Sequence, residues 1–463
     1  MPTNRMLPPY NVVSPLGNRY YDAETASYLA PEALLRLMLA CEVALTDTVA
    51  EFGLCDLSIA EEIRRAVTDI TAAEVADVEE AEAGGHDIRA VILCIQKRVG
   101  PEAKAKVHWN ATSFDIRGTG EALLYRVAQK ELIEPRLVKL MAALLRLAYR
   151  EASTPQIGRT HLVHALPTTF GRQLAWFASR LGSSILKLRS LARELPGKFS
   201  GMIGGNHSAS LFFDDPEDFE RRMLAKLGLE PAECSTQIPP PEPTIRFLTE
   251  LTIASGIMAN LADNFRILQM TEVDEVLEPG TSTSSAAPHK RNPQLSERVK
   301  SIWKIVVSRL ILPFLDQISL FERDLTNSAS ARTYPETPAY VCYQARKLTE
   351  ILEGLTVHRD NMLRNMMISL GYIASEPLQQ ILREHGHPSA HEVVQALALR
   401  ARDEGISLES LVRADPALQR YLEQFSKKEL EILADPSHYR GNSVEKTIQL
   451  CEHWATEFGI ELE

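Results

Sequence analysis

Residues 281–298 combine small hydroxyl side chains with cations, a combination suited to removing a proton next to a carboxylate. The stretch reads Thr-Ser-Thr-Ser-Ser-Ala-Ala-Pro-His-Lys-Arg-Asn-Pro-Gln-Leu-Ser-Glu-Arg, and its small residues are typical of a loop that can move. Lys290 and Arg291 bring positive charge near Ser284 and Ser285, and a neighbouring cation makes a hydroxyl proton easier to remove. We therefore expect a serine of this segment to act as a base.

A helix is expected directly after this loop. From Leu295, apolar residues recur at Ile302, Ile305 and Val306, which is the spacing of a helix with one buried face. The free N–H groups and the positive dipole end of such a helix favour an anion. The alternative interpretation is a solvated Ser/Thr-rich turn that only caps the helix.

A second segment, residues 158–171, carries a histidine suited to proton donation. It reads Gly-Arg-Thr-His-Leu-Val-His-Ala-Leu-Pro-Thr-Thr-Phe-Gly. The imidazole of His161 can give a proton to a leaving nitrogen. Pro167 and Thr168 favour a helix start, so His161 is predicted to lie on a polar loop that enters a helix. A lone histidine of this kind is also common as a simple surface residue.

Helical periodicity dominates the chain and predicts an all-α protein. Alternating β-branched runs are almost absent, and residues 244–270 are apolar on more than one face, which indicates a helical bundle. Pro135 is expected to kink or divide the second long segment. The Pro-rich residues 238–243 are predicted to form a rigid connection before a long helix. The predicted long helices span residues 34–52, 121–152, 168–195, 244–270 and 295–318.

Composition and charge limit the class of protein. The 463 residues suffice for two or three domains, and 45% hydrophobic with 24% charged residues is ordinary for a globular protein. The net charge of −11 argues against a general binder of nucleic acid or membrane surfaces, so an anionic ligand must meet a local group of cations. Six scattered cysteines without a Cys-x-x-Cys pair, and an N-terminus without an apolar signal core, predict a cytoplasmic protein with free thiols.

No cofactor and no metal are predicted. The sequence contains neither a Walker loop nor a Rossmann fingerprint. His-Gly-His-Pro-Ser-Ala-His-Glu at residues 385–392 has the residue types of a metal site. However, Ser389 and Glu392 have the spacing of a capping box at a helix start, and this interpretation is preferred.

The order of residues in these segments resembles the fumarase/aspartase superfamily. Residues 283–293 resemble its Gly-Ser-Ser-x-Met-Pro-x-Lys-x-Asn-Pro loop, with Thr283 in place of Gly and Ala287 in place of Met. The Pro-His-Lys-Arg-Asn-Pro core and the Gly-Arg-Thr-His segment resemble adenylosuccinate lyases. Residues 164–171 are more similar to carboxymuconate cycloisomerases. The resemblance extends from Arg19 to the Asp-Pro-Ser-His-Tyr-Arg-Gly segment that begins at Asp435, nearly the whole chain.

This resemblance implies a three-domain, all-helical fold of the fumarase/aspartase type, with a long central bundle shared in a homotetramer. Each active site then takes loops from three subunits. The predicted domains are an N-terminal helical domain at 1–115, a central long-helix bundle at 116–365 and a C-terminal helical domain at 366–463.

The resemblance further implies a carbon–nitrogen lyase. Its expected substrates are adenylosuccinate and the related succinyl-aminoimidazole carboxamide ribotide of purine biosynthesis, from which it releases fumarate. The alternatives are a 3-carboxy-cis,cis-muconate cycloisomerase, a lyase of another substituted succinate, and a non-catalytic structural relative.

The matching positions give roles to individual residues. Ser284 falls at the position of the base, His161 at that of the general acid, and Glu297 at that of a residue orienting the acid. Lys290 is expected to stabilise the carbanion together with Asn292. The Gly-His-Asp segment that contains His86 matches a histidine at the substrate phosphate and catalytic centre, so the predicted catalytic residues are Ser284, His161, His86, Lys290 and Glu297.

Shorter matches give the substrate-binding positions. Residues 107–115 resemble a His-x-Gly-x-Thr-Ser-x-Asp segment, with Asn110 in place of Gly, where Asn also tolerates positive φ. Asp115 is equally explained as a cap of a helix from Ile116 onward. Residues 322–332 resemble a phosphate-binding element, or form a helix with i,i+4 surface pairs. The residues assigned to substrate binding are Arg19, Tyr20, Asp87, Thr112, Ser113, Thr160, Gln237, Ser285, Asn292, Arg298, Arg323, Ser328 and Arg332.

Overall fold

A computed structural model describes residues 19–280, 287–369 and 371–463, and these residues form an all-α fold, as predicted. Within these ranges, strands occur only as two small antiparallel pairs. None of the described helices is both long and apolar enough to cross a membrane. The strands are β1 (Pro155–Thr160), which pairs with β2 (Val163–Thr169), and β3 (Val276–Leu277), which pairs with β4 (Thr356–Val357).

The described helices number twenty-one. The first ten are α1 (Ala23–Leu29), α2 (Pro31–Glu51), α3 (Leu57–Ala66), α4 (Ala72–Ala81), α5 (Asp87–Gln96), α6 (Pro101–Lys104), α7 (Ser113–Ala128), α8 (Glu134–Arg150), α9 (Phe170–Arg193) and α10 (Pro216–Lys226). The remaining helices are α11 (Glu242–Leu268), α12 (Gln294–Arg309), α13 (Ile311–Leu315), α14 (Glu336–Gly354), α15 (Arg359–Met367), α16 (Ser375–Glu384), α17 (Ala390–Glu404), α18 (Leu408–Ala414), α19 (Gln419–Leu422), α20 (Lys427–Ala434) and α21 (Ser443–Phe458).

Helices occupy all five predicted long segments, but the second and the fifth are each divided into two helices. The second segment begins at Ser113, before its predicted start at residue 121, and the last helix of the fifth ends at Leu315. The second is divided as expected, because Pro135 has no N–H to donate to the preceding turn. A π-helical turn at Gln129–Ile133 lies there, and the N–H of Glu134 donates to the Gln129 carbonyl. The proline-rich residues 238–241 lead into α11, which begins at Glu242, and the rigidity of this connection stays a prediction.

The described residues form two compact units. The first draws on residues 19–137, 183–258 and 301–346, and the second on the described parts of 138–182, 259–300 and 347–463. The division falls inside the long helices α8, α9, α11, α12 and α14. The three-domain division at residues 115 and 365 stays a prediction.

In the first unit, α2 packs against α3, α7 and α10. Burial of Leu45 and Val49 on one face of α2 anchors this packing. Aromatic rings extend the core, with Phe213 stacked on Phe219 at a centroid distance of 4.5 Å. The first unit therefore has its own hydrophobic core, which supports the loops at the starts of α5 and α7.

In the second unit, the C-terminal helices enclose an apolar cluster that includes Leu382, Val394 and Leu408. Helix α17 begins where predicted, but Ser389 makes no side-chain capping hydrogen bond. Its backbone N–H donates instead to Nδ1 of His387 at 3.1 Å, so the predicted capping box is wrong. Within the described ranges, no group of three His, Cys, Asp or Glu side chains is arranged to hold a metal ion.

The start of α9 passes very close to the end of α8 in the second unit. The N–H of Gly171 donates to the carbonyl of Glu151 at 3.0 Å. A Cβ on Gly171 would lie 2.4 Å from the carbonyl oxygen of Ala148, which is closer than van der Waals contact allows. Only glycine permits this close contact between α8 and α9, which also fixes the base of the β1–β2 hairpin.

We expect Gly171→Ala to lower the free energy of unfolding by about 1–3 kcal/mol, the usual cost of inserting a carbon into a filled space. Gly118→Ala is the matched control, because a Cβ there would meet Pro239 at an ordinary 3.6 Å and alanine favours helix. Denaturant titration of both variants measures the difference. Equal free energies of unfolding for the two variants would show that the contact between α8 and α9 has room for a methyl group.

Candidate active site

One cavity in the first unit gathers seven of the predicted site residues. It has a volume of about 500 Å³ and is lined by the loop before α5, the start of α7, and turns between residues 323 and 332. Of the predicted residues, His86, Asp87, Ser113, Gln237, Arg323, Ser328 and Arg332 line its wall.

His86 is held at the start of α5 with one ring nitrogen directed toward α7. Two glycines at positive φ, Gly84 and Gly85, shape the loop before it. Its Nδ1 accepts a hydrogen bond from the backbone N–H of Arg89 at 3.3 Å, which leaves the proton of the neutral imidazole on Nε2. Nε2 lies 3.5 Å from Oγ of Ser113. The ring can therefore donate to a ligand that enters the cavity beside Ser113.

Arg117 lines the same cavity, although the sequence alone does not point to it. The spacing of Arg117 and Glu121 predicts only a surface ion pair on a helix. In the structure its Nε lies 3.0 Å from Glu121, its guanidinium also pairs with Asp87, and its side chain is only 15% exposed. Burial acts to lower the pKa of Arg117, but the carboxylates of Glu121 and Asp87 outweigh it and raise that pKa. Arg117 thus fixes Asp87, and its own charge is already neutralised.

The other two arginines on the cavity wall, Arg323 and Arg332, form no ion pair within the described chain that would keep them from binding an anionic ligand. The guanidinium of Arg323 lies 3.5 Å from the ring centroid of Phe114 and donates to Asn327 at 3.2 Å. Arg332 donates to the hydroxyl of Ser328 at 3.0 Å. Among the described residues, no carboxylate forms an ion pair with either arginine. These residues lie in turns and a short 3₁₀ turn (Ala331–Thr333), so the alternative of a helix with surface pairs is wrong.

The turn that presents Thr112 and Ser113 is anchored by a buried ion pair. Asp115 is fully buried, accepts from the N–H of Thr112 at 2.7 Å, and lies 2.5 Å from Nζ of the equally buried Lys198. This contact is part of a capping box at the start of α7, which confirms the predicted capping role of Asp115. The helix begins at Ser113 and not at Ile116, so only the predicted helix start is wrong. Asp115 supports the turn and is not exposed to a ligand.

A second buried pair holds the chain just before this turn. Glu42 is buried in α2 and accepts from the backbone N–H of His108 at 3.0 Å and from its Nδ1 at 2.6 Å. Burial acts to lower the pKa of His108, but the Glu42 carboxylate outweighs burial and raises it. Asn110 adopts φ of 64°, which confirms its expected tolerance of positive φ.

Arg19 and Tyr20 also belong to the first unit but are not among the residues that line the cavity. Arg19 is exposed. The ring of Tyr20 packs edge-on against Tyr343 at a centroid distance of 5.5 Å, beside Ile302 and Val306. Their predicted contact with a phosphate remains a prediction.

The second unit carries His161 at the tip of a β-hairpin and not on a helix-entry loop. Thr160 pairs with Val163, so His161 and Leu162 form the two-residue turn. Their φ values are 54° and 65°, a region that residues with side chains seldom occupy. His161 is exposed, and such strained positions concentrate at functional sites.

The helix start predicted at Pro167 and Thr168 is wrong, because both residues lie in β2 and α9 begins at Phe170. Pro167 has no N–H, but it pairs with Ile157 at the edge of a two-stranded sheet, where proline is tolerated. The pairing with β1, and not the local sequence, decides the structure of this segment.

The hydroxyl-rich loop is described only from Ala287 onward. Ser284, Ser285 and Thr283 lie outside the described residues. Lys290 is exposed, Asn292 is half-buried, and Glu297 and Arg298 are exposed on the first turn of α12. Within the described chain, no hydrogen bond joins Glu297 to His161.

The start of α12 does bind an anion, as expected, but the anion is a side chain of the same unit. Glu278 accepts from the N–H of Leu295 at 2.8 Å and from the N–H and hydroxyl of Ser296 at 3.1 and 2.9 Å. Burial raises the pKa of Glu278 although these donors oppose the shift. These two N–H groups therefore bind a side chain of the protein itself and are not available to a substrate.

Comparison with known proteins gives two family matches along the chain. A lyase family model matches residues 18–307, and an adenylosuccinate lyase C-terminal model matches residues 319–439. Adenylosuccinate lyase from Pyrococcus abyssi is 33% identical over 444 residues, covering 94% of this chain and 96% of the relative. Adenylosuccinate lyase from Pyrococcus horikoshii is 32% identical over 454 residues, covering 95% and 98%.

Two solved structures have the same fold. The 3-carboxy-cis,cis-muconate lactonizing enzyme from Pseudomonas putida has a TM-score of 0.84 at 26% identity and covers 95% of this chain and 98% of that one. Fumarate lyase from Mesorhizobium sp. BNC1 has a TM-score of 0.83 at 26% identity, covering 95% and 100%. The fold is thus that of a lyase, which confirms the resemblance seen in the sequence. Within this class, the chain belongs to the adenylosuccinate lyase family.

Arg323→Ala and Arg332→Ala should each weaken binding of a nucleoside monophosphate by roughly 10- to 100-fold, because each removes a charged donor worth about 1.5–3 kcal/mol. Arg64→Ala in the same unit is the control, since Arg64 only pairs with Asp47 on the surface. Isothermal titration calorimetry gives the affinities. Equal affinity for wild type and both cavity variants would exclude these arginines from the anion site.

The His108–Glu42 pair predicts a pH dependence of stability. Because the folded pKa of His108 is raised, the pair stabilises fully below the unfolded pKa of about 6.5, and this contribution is lost as pH rises through the folded pKa. The free energy of unfolding of wild type should therefore exceed that of His108→Gln most at acidic pH, with the gap closing above about pH 6.5. Parallel pH–stability curves for the two proteins would contradict the pairing.

Proposed function

We propose that this chain catalyses the release of fumarate from adenylosuccinate and from succinyl-aminoimidazole carboxamide ribotide, in purine nucleotide synthesis. The observation that supports this function is the cavity of the first unit. There, Arg323 and Arg332, which form no ion pair with a described carboxylate, face the same space as His86 and Ser113. A succinyl nucleotide is a multiply charged anion, and a chain of net charge −11 can bind it only at such a local group of cations.

The proposed reaction is an elimination. Ser284 removes a proton from the succinyl carbon next to the carbon–nitrogen bond, with Ser285 as the second candidate base. The electron pair left on that carbon forms the double bond of fumarate as the carbon–nitrogen bond breaks. His161 gives its proton to the departing nitrogen.

Cations and amides are proposed to stabilise the negative charge that develops during this step. Lys290 and Asn292 bind the carboxylate that shares the charge of the carbanion. Glu297 orients His161. Because Glu297 and His161 form no hydrogen bond within the described chain, we assign this contact to residues of different copies.

The remaining predicted residues are proposed to bind the substrate. Thr112 and Ser113 donate hydroxyl hydrogen bonds to a succinyl carboxylate, and His86 contacts the substrate beside them. Arginine side chains and a serine hydroxyl suit the oxygen atoms of a phosphate. The proposed phosphate residues are Arg19, Tyr20, Arg323, Ser328 and Arg332, and the site is completed by Asp87, Thr160, Gln237 and Arg298.

We further propose a cytoplasmic homotetramer whose active sites combine loops from three subunits. Ile311, Phe314, Leu315 and Ile318 of the first unit are 50–76% exposed, and an apolar surface of this kind is one that a second copy would cover. All six cysteines are free thiols, which suits a reducing compartment.

A 3-carboxy-cis,cis-muconate cycloisomerase is the second candidate function. The solved lactonizing enzyme from Pseudomonas putida supports it, as does the similarity of residues 164–171 to such enzymes. Its substrate carries carboxylates but no phosphate, so the phosphate contact predicted for Arg323 and Arg332 would not be made.

Incubation of the purified chain with adenylosuccinate should give fumarate together with the loss of ultraviolet absorbance of the substrate. Ser284→Ala should lower turnover by roughly 10²- to 10⁴-fold, because proton removal loses its base. Ser285→Ala tests the second candidate base, and Ser282→Ala is the control for a lost loop hydroxyl. Unchanged denaturant curves would show that all three variants are folded.

Near-normal turnover by Ser284→Ala would remove Ser284 from the mechanism. Conversion of carboxymuconate without any release of fumarate from adenylosuccinate would transfer the assignment to the second candidate. Absence of both activities would leave a lyase of another succinate or a structural protein.

A further inference from the structure

The carboxylate of Glu275 is the centre of a buried network in the second unit. Glu275 is fully buried, and its carboxylate accepts hydrogen bonds from side chains of two elements, β1 and α15. The donors are the guanidinium of Arg159 at 2.5 Å, the amide of Gln156 at 2.9 Å and the amide of Asn365 at 3.0 Å. Two of these three donors belong to the hairpin that carries His161.

The irregular pairing of the hairpin allows both donors to reach one carboxylate. Side chains three residues apart on a regular strand point to opposite faces, so Gln156 and Arg159 would diverge. The pairing register shifts between Ile157 and Arg159, and such a bulge re-aims the following side chain. Gly158 permits the shift, because a Cβ there would lie 2.8 Å from the carbonyl oxygen of Leu166.

The backbone of Glu275 is itself fixed. Its N–H donates to the carbonyl of Leu268 at 2.8 Å, and its carbonyl accepts from the N–H of His358 at 3.0 Å. Asn365 also donates to the carbonyl of Val273 at 2.6 Å. The carboxylate is therefore a rigid attachment point for β1.

The hairpin tip needs such an attachment. Arg159 lies two residues before His161, and both turn residues adopt positive φ, a conformation that persists only where the surroundings impose it. We propose that Glu275 is a positioning residue that acts through Arg159 and Gln156 to hold the turn and to set the direction of the His161 imidazole. This inference rests on the proposed function, in which His161 protonates the leaving nitrogen.

A double-mutant cycle tests this inference. Glu275→Gln keeps the size of the side chain but removes the charge opposite Arg159, so kcat should fall by roughly 10- to 100-fold with KM unchanged, the expected result of a misplaced proton donor. In a His161→Gln background the same substitution should cause no further fall, because the group that it positions is already absent. Arg159→Gln should reproduce the effect, and it replaces Glu275→Gln if that variant does not fold.

Glu151→Gln is the matched control. Glu151 is also fully buried in the second unit and pairs with Arg359 at 2.6 Å, so its loss should lower stability without lowering kcat. An equal fall in kcat for Glu151→Gln and Glu275→Gln would overturn the inference. So would a fall for Glu275→Gln that is as large with His161 replaced as with His161 present.

Hydrogen–deuterium exchange separates this inference from the proposed function. Peptides covering residues 158–166 should exchange faster in Glu275→Gln than in wild type or Glu151→Gln. If these peptides exchange faster in Glu275→Gln but the wild-type chain releases no fumarate, the attachment of β1 to Glu275 is retained and the lyase assignment is rejected. Unchanged exchange together with unchanged kcat in an active enzyme would reject the attachment and retain the lyase.

Discussion

The structure depends on the rule that a charge removed from water must be paired. Removing one partner of a buried ion pair leaves an uncompensated charge, so the two partners are fixed relative to each other. Asp115 with Lys198, Glu42 with His108 and Glu275 with Arg159 each tie a site segment to a distant element of the same unit. The loops that carry reactive side chains are short and irregular, and these pairs give them the rigidity that regular hydrogen bonding gives to helices.

The same rule decides which charges can meet a ligand. The cavity of the first unit contains three arginines, and one of them, Arg117, is already satisfied by two carboxylates. Arg323 rests on an aromatic face and Arg332 on a hydroxyl. These partners position a guanidinium without cancelling its charge, so the wall of the cavity carries three guanidinium groups against the carboxylates of Asp87 and Glu121.

The sequence predicts those parts of the fold that depend on neighbours along the chain. Apolar spacing locates the long helices, Pro135 locates the division between α7 and α8, and Asn110 tolerates the positive φ expected of it. The hairpin is missed, since residues 155–169 contain a proline in each strand and no apolar alternation. Its two strands pair with each other, and contacts with residues more than 100 positions away, such as that between Arg159 and Glu275, hold β1 in place. Arg117 is missed for the same reason, because nothing local shows that Asp87 will lie beside it.

Glu278 already occupies the anion-binding end of α12. Its carboxylate accepts from the N–H groups of Leu295 and Ser296, so β3 and the first turn of α12 are joined by a side chain of the protein. A helix start with free N–H groups attracts an anion, but here these two donors are taken before any substrate arrives. Recognition of a substrate carboxylate near the start of α12 therefore has to come from side chains, and a change of side chain there can alter substrate choice without disturbing the helix.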